Sequence, residues 1–219
     1  MPTKITDSKN YHIVLLRHGE SIANAQGYYQ GQTDFTLTEI GKKQAHSLAK
    51  WWQKQGVTFD LIISSPLMRA RQTAEIISSI LELPLEFDPL WMERDAGLLS
   101  GLHQDDAEQL YPQPSFTHIY QPIGTTGESQ WELYLRAGRA LSDLLRRAPG
   151  RYLVVSHGGI LNMVLYTILG IVPQANFHGV HFRFENTAYA LLTYYPTHHY
   201  WYFEELNKGD RFKEIIGSH

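Results

Sequence analysis

Ile13-Val14-Leu15-Leu16-Arg17-His18-Gly19-Glu20-Ser21-Ile22-Ala23-Asn24 decides how this chain is read. Four apolar residues run directly into an Arg-His pair, and Gly19 and small polar residues follow. A short apolar run ending in polar groups and glycine predicts a buried strand emptying into a loop. In open α/β sheets, loops at the carboxyl ends of parallel strands are where ligands bind. Arg17 and His18 are therefore expected at the floor of a pocket.

Working outward, the same pattern recurs. Tyr11–Leu16 reads as the first strand and Phe59–Ser64 as a second, with Leu61, Ile62 and Ile63 in a row. Leu153, Val154 and Val155 mark a third within Arg151–Ser156. Between them, Gly41, Ala45, Leu48, Ala49 and Trp52 share one face of a helix over about Thr38 to Gln55. Ala70, Thr73, Ala74, Ile77 and Leu81 do so for the next helix. Ser129-Gln130-Trp131-Glu132 is a capping box opening a helix to about Arg147, with an expected stripe of Trp131, Leu135, Leu141 and Leu145. A short strand is expected at Leu85–Phe87 and a short helix near Gln104–Tyr111. After Pro173, a three-strand meander is expected at about His181–Phe184, Ala188–Tyr194 and His199–Glu204. Met1–Asn10 and Asn207–His219 read as loose ends. Strands alternating with helices predict an α/β three-layer sandwich, a mostly parallel central sheet with helices on both faces.

The chain has 219 residues, a length compatible with one domain over 1–219. An irregular insert at about 101–127 carries Tyr111, Phe116, His118 and Tyr120 and is a candidate lid. The net charge of −3 offers no general attraction for nucleic acid or an anionic membrane, so neither partner is expected. Zero cysteines exclude disulfides, thiolate chemistry and cysteine-based metal sites. No apolar run is long enough to span a bilayer and no secretory signal is visible, so a cytoplasmic location is expected. His178 and His181 lack acidic companions, and no metal site and no cofactor are expected. Oligomeric state stays open, with a homodimer through an edge strand or the Trp51-Trp52 pair as the option.

Three strand ends deliver polar groups: Arg17-His18-Gly19, Ser64-Ser65-Pro66 followed by Arg69, and His157-Gly158-Gly159. In a parallel sheet these ends face one way, so two arginines and two histidines converge. Two guanidiniums suit bidentate binding of a phosphate or carboxylate. Helix N-termini after His18 and His157 add anion-binding N–H groups. A neutral imidazole is a competent nucleophile toward phosphorus once cations hold the oxygens.

Leu16-Arg17-His18-Gly19-Glu20-Ser21 with Asn24 resembles the signature of the histidine phosphatase superfamily, the phosphoglycerate mutase-like proteins. The resemblance continues through Gly31, Asp34, Leu37-Thr38-Glu39-x-Gly41-x-x-Gln44-Ala45 and Ser64-Ser65-Pro66-Leu67-x-Arg69-Ala70-x-Gln72-Thr73-Ala74. It recurs at Glu93-x-x-x-Gly97, Gly127-Glu128-Ser129 and Val155-Ser156-His157-Gly158-Gly159. It implies that His18 takes the phosphoryl group, that Arg17, Arg69 and His157 hold its oxygens, and that Glu93 exchanges protons with the leaving oxygen and with water. It further implies substrate contacts at Asn24, Gln30 and Gly31, with Ser21 a further one; Arg94 follows the mutase pattern. The implied activity is a metal-independent phosphomonoesterase acting on a small phosphorylated substrate through a phosphohistidine. A phosphoglycerate mutase and a non-catalytic phosphate-binding scaffold are the alternatives. Mutases of the family usually carry an Arg-rich insert after the Glu motif, whereas residues 101–127 contain neither Arg nor Lys. They also tend to have Asn two positions after the second histidine, where this chain has Gly159.

Overall fold

The computed structural model describes residues 9–207. Among the described residues, six strands form one sheet, flanked by six α-helices. In chain order the strands are β1 (Tyr11–Arg17), β2 (Leu61–Ser64), β3 (Leu85–Phe87), β4 (Arg151–Ser156), β5 (Tyr189–Tyr195) and β6 (Tyr200–Asn207). The helices are α1 (Ile22–Gln26), α2 (Glu39–Gln55), α3 (Met68–Leu81), α4 (Gln104–Leu110), α5 (Gln130–Leu145) and α6 (Gly158–Leu169). The sheet order is β3-β2-β4-β1-β5-β6. The first four are parallel to one another, and β5 and β6 run antiparallel at one side.

Strand periodicity sorts the core into two layers. Alternate side chains of a strand point to opposite faces. Ile13 and Leu15 therefore join Tyr152 and Val154 in a core under α5 and α6. Val14 and Leu16 join Leu153 and Val155 in the other, under α2 and α3. Both faces are covered, which is why these strands are apolar throughout rather than alternating. The expected α2 face is the one buried: Gly41, Ala45, Leu48, Ala49 and Trp52. Gly41 is required there, because a Cβ would strike the carbonyl of Glu20. That close approach presses the loop carrying His18 onto α2.

Two expectations differ. The buried face of α5 is Leu133, Ala137, Ala140, Leu141 and Leu144, while Leu135 is 54% exposed. Leu141 apart, the stripe read from the sequence is rotated off the true one, whose face includes Ala137 and Ala140, residues of little apolar weight. The meander has two strands, not three. Residues 181–184 form no strand because side chains take their backbone groups. Asn162 Oδ1 accepts from Phe182 N (2.8 Å), Asn162 Nδ2 donates to Phe182 O (2.9 Å), and Arg17 Nη1 donates to Phe184 O (2.7 Å). Of the expected loose ends, residues 1–8 and 208–219 lie outside the described residues, and Asn207 closes β6. Among the described residues no helix is long and apolar enough to cross a membrane.

Candidate active site

Sheet register sets the site. Arg17 is opposite Ser156 on β4, and Ser64 on β2 is opposite Val155. One residue further along, His18 N donates to Ser156 O and Ser65 N to Val155 O, both still in strand geometry. His18, Ser65 and His157 thus emerge side by side at one end of the sheet. The rings of His18 and His157 are 5.1 Å apart, tilted by 58°.

The two histidines are held in opposite tautomers. His18 Nδ1 lies 2.6 Å from Gly19 O. A carbonyl only accepts, so Nδ1 carries the proton and the Nε2 lone pair is left for chemistry. At His157 the roles reverse. Arg69 Nε donates to its Nδ1 (3.1 Å), so the proton is on Nε2, which donates to Ser65 Oγ (2.8 Å). His157 therefore has no lone pair to offer, and of the pair only His18 is set up as a nucleophile.

Arg69 is completely buried and clamps the cup. Its Nη1 donates to Thr33 O (3.0 Å) and its Nη2 to Gly31 O (2.7 Å). Each of these nitrogens keeps a second N–H. Burial lowers its pKa to about 10, still cationic at neutrality. Burial also lowers that of Arg17. Arg17 Nε is buried without a hydrogen-bond partner among the described residues. A buried guanidinium N–H left over in a cationic cup is suited to an anion.

Burial first, and then the neighbouring Arg17 and Arg69 charges, hold His18 well below the ordinary histidine pKa. For His157 the causes are burial and then Arg69, His18 and Arg17. Both rings are neutral at neutral pH. The unfolded chain takes up these protons near the ordinary value of 6.5, and the folded chain does so only at lower pH. The unfolded state thus binds more protons below that value, and stability falls as pH falls. Unfolding free energy from urea titrations is expected to drop below pH 6.5 by up to about 1.4 kcal/mol per pH unit for each of the two histidines. His18→Gln is expected to make that slope shallower; an unchanged slope would refute the assignment of the acid sensitivity to this ring.

Glu93 reaches the site from a different element, the irregular chain after β3. Its carboxylate sits on the N-terminus of α6, accepting from Gly159 N (3.0 Å) and Ile160 N (3.2 Å), and from Arg94 N (2.8 Å). A helix N-terminus favours a negative group. Gly159 makes this possible: a Cβ there would collide with the Glu93 carboxylate. Both Arg17 and Arg69 feel the charge of Glu93.

The softer candidates separate. Ser21 is fully buried and serves as the N-cap of α1, with its hydroxyl on Asn24 (3.0 Å) and Gln30 (2.8 Å). In this position it organises Asn24 and Gln30. Asn24 and Gln30 stay half-buried beside it. Gly31 is buried with φ of 47°, and its carbonyl is already spent on Arg69. Arg94 Nε donates to Glu128 O (2.8 Å), and its guanidinium lies 4.8 Å over the Phe177 ring. Its Nη2 is buried without a hydrogen-bond partner among the described residues. Arg183 faces solvent, paired with Glu185 at 2.6 Å.

Sequence reasoning missed four contributors. Asn186 Nδ2 bridges His18 O and Asn24 Oδ1, each at 3.2 Å. Ser65 orients His157. Gln32 Nε2 and Arg136 Nη2 both donate to Glu93 O, at 3.0 and 3.1 Å. The one available signal was Ser65, in a quoted motif; Asn186 and Arg136 stand in unremarkable local sequence. The insert is α4 followed by irregular chain. With Leu99 and Phe177 it lines a cavity of about 530 Å³, to which Tyr111 contributes. Phe116 and Tyr120 are more than half exposed.

The chain is similar to known proteins in sequence and in fold. A family model described as histidine phosphatase superfamily (branch 1) matches residues 13–208. A protein of Yersinia enterocolitica named "Probable phosphoglycerate mutase GpmB" is 38% identical over 170 residues, covering 74% of this chain and 77% of that protein. Among solved structures, the alpha-ribazole phosphatase of Shigella flexneri superposes with a TM-score of 0.75 at 26% identity, covering 90% of this chain and 96% of that one. A phosphoserine phosphatase mutant from Entamoeba histolytica, in complex with phosphoserine, gives 0.71 at 27% identity over 91% and 98% of the two chains.

Proposed function

The chain belongs to the histidine phosphatase superfamily, branch 1, and from that premise we propose that it hydrolyses a small phosphomonoester through a phosphohistidine at His18. The observation that carries this reading is the tautomer of His18. Nδ1–H is tied to Gly19 O, so a neutral, buried ring presents Nε2 within a cup of two arginines.

The steps follow from the placements. Arg17 and Arg69 take the phosphoryl oxygens, and the Nε2–H of His157 transfers its hydrogen bond from Ser65 Oγ to one of them. The Nε2 lone pair of His18 attacks phosphorus in line, the P–O ester bond breaks, and the leaving oxygen takes a proton from Glu93, which enters this step as the neutral acid and is returned to that form by the second step. Water then attacks the phosphohistidine, Glu93 accepts its proton, the P–N bond breaks and inorganic phosphate leaves. Charge stabilisation comes from side chains whose positions are set before substrate arrives.

Hydrolysis is favoured over intramolecular transfer by two features. Gly159 leaves no room for a side chain beside Glu93. The insert offers Asp105, Asp106 and Glu108 but no Arg or Lys to grip a second anionic group. The relatives named for alpha-ribazole, phosphoserine and phosphoglycerate all point to small phosphorylated substrates. The test is a partition measurement with the isolated protein and 3-phosphoglycerate or p-nitrophenyl phosphate. Phosphate release exceeding 2-phosphoglycerate formation, with label trapped on histidine after a rapid quench, is the expected result. Interconversion of the phosphoglycerates outrunning phosphate release would replace this reading with the mutase one. Phosphate binding without any trapped label would replace it with a binding protein.

A further inference from the structure

Glu93 is borne on irregular chain, yet its carboxylate must meet a leaving oxygen to within a fraction of an ångström. Gln32 Nε2 donates to Glu93 O (3.0 Å), but the side chain that gathers most of that chain's carbonyls lies on α5. Arg136 Nη1 donates to Leu90 O (3.0 Å) and Met92 O (2.6 Å), and Nη2 to Glu93 O (3.1 Å). The remaining edge of the guanidinium forms a bidentate pair with Glu128, Nε to Oε1 at 2.8 Å and Nη2 to Oε2 at 2.6 Å. The two side chains are only 17% and 14% exposed. Three carbonyl oxygens converge on one cation, and nothing in core packing requires that convergence.

Glu128 closes the frame from the other side. Its carbonyl accepts from Arg94 Nε, and its N–H donates to Asp95 O (2.9 Å). The segment 90–95 is thus gripped on both flanks of Glu93, while the Glu93 carboxylate itself is aimed at the α6 N-terminus. We infer that Arg136, neutralised by Glu128, is a positioning residue for the proton-transferring Glu93, an inference resting on the phosphatase reading above. A lysine could not substitute, since one ammonium cannot span three carbonyls and a bidentate carboxylate.

A positioning role has a signature that general loosening lacks. An alkoxide leaving group needs a proton in the transition state, and p-nitrophenolate hardly does. Arg136→Lys is therefore expected to lower kcat/KM for glycerol phosphate about 30-fold or more, part of the factor a general acid supplies. For p-nitrophenyl phosphate the loss is expected to stay within about three-fold. Glu93→Gln is expected to show the same asymmetry, and Arg136→Lys added to Glu93→Gln to cost little more, because the two act as one unit. Glu128→Gln, which keeps the guanidinium, is expected to show a weaker version and serves where Arg136→Lys does not fold. Equal losses on both substrates, additive losses in the double variant, or no loss would each overturn the inference. Wild-type protein that hydrolyses neither ester would remove the phosphatase reading and this inference with it; wild-type activity with symmetric losses removes the inference alone.

Discussion

His18→Ala is expected to reduce turnover of p-nitrophenyl phosphate by about 10⁴-fold or more, the scale of losing a nucleophile. It is also expected to abolish label trapped on the protein. The size of the effect follows from the tautomers. His157 is 5.1 Å away between ring centroids, but its Nδ1 is occupied by Arg69 and its Nε2 carries a proton toward Ser65. It cannot take over the attack without breaking both contacts. His157→Ala is accordingly expected to lose activity by weaker phosphoryl binding while still forming a labelled protein, by a slower first step. Quench-flow with labelled substrate separates the two variants. Label retained in His18→Ala, or absent from His157→Ala at saturating substrate, would show that the roles are assigned the wrong way round.

Gly159→Asn is expected to have the next largest effect, a loss of about 10²-fold or more in kcat/KM for an alkyl phosphate, the scale of general acid catalysis. The Cβ alone would overlap the Glu93 carboxylate, which must then leave the N–H groups of Gly159 and Ile160. The backbone at 159 is ordinary helix, so the cost falls on the site rather than on the fold. Thermal unfolding is therefore expected to change little. A variant of near wild-type activity on an alkyl ester would show that Glu93 does not act from its position on α6. Gain of phosphoglycerate interconversion would instead show that this position separates hydrolysis from transfer.

Much of the candidate site was legible because its polar groups follow strands whose composition is unambiguous. Leu15-Leu16-Arg17-His18 and Val155-Ser156-His157 each join a doubly buried strand to a polar end, and parallel pairing of β1 with β4 then makes the two histidines neighbours. Glu93 had no such local signal, and only the family pattern marked it. The α5 stripe was misplaced because Ala137 and Ala140 carry little apolar weight in a sequence but allow close helix packing. The third strand of the meander was misplaced because Phe182 and Phe184 look like strand residues, while the groups that claim their backbone, Asn162 and Arg17, are distant in sequence.

By itself the sequence determined the alternation of strands and helices, the buried face of α2 and the arrival of Arg17, His18, Arg69 and His157 at one end of a sheet. These depend on periodicity and on local polarity, which a chain carries wherever it goes. Only the tertiary structure decided which histidine has a free lone pair, that Ser21 is a cap, and that Arg136 grips the chain bearing Glu93. The Ser21 cap and the His18–Gly19 contact are local, but the tautomer of His157 and the grip of Arg136 depend on hydrogen bonds between residues far apart in the chain. Arg136 and Met92 are 44 positions apart, and Arg69 and His157 are 88. No local pattern records such partners, because the donor geometry exists only once the two cores have closed around the sheet.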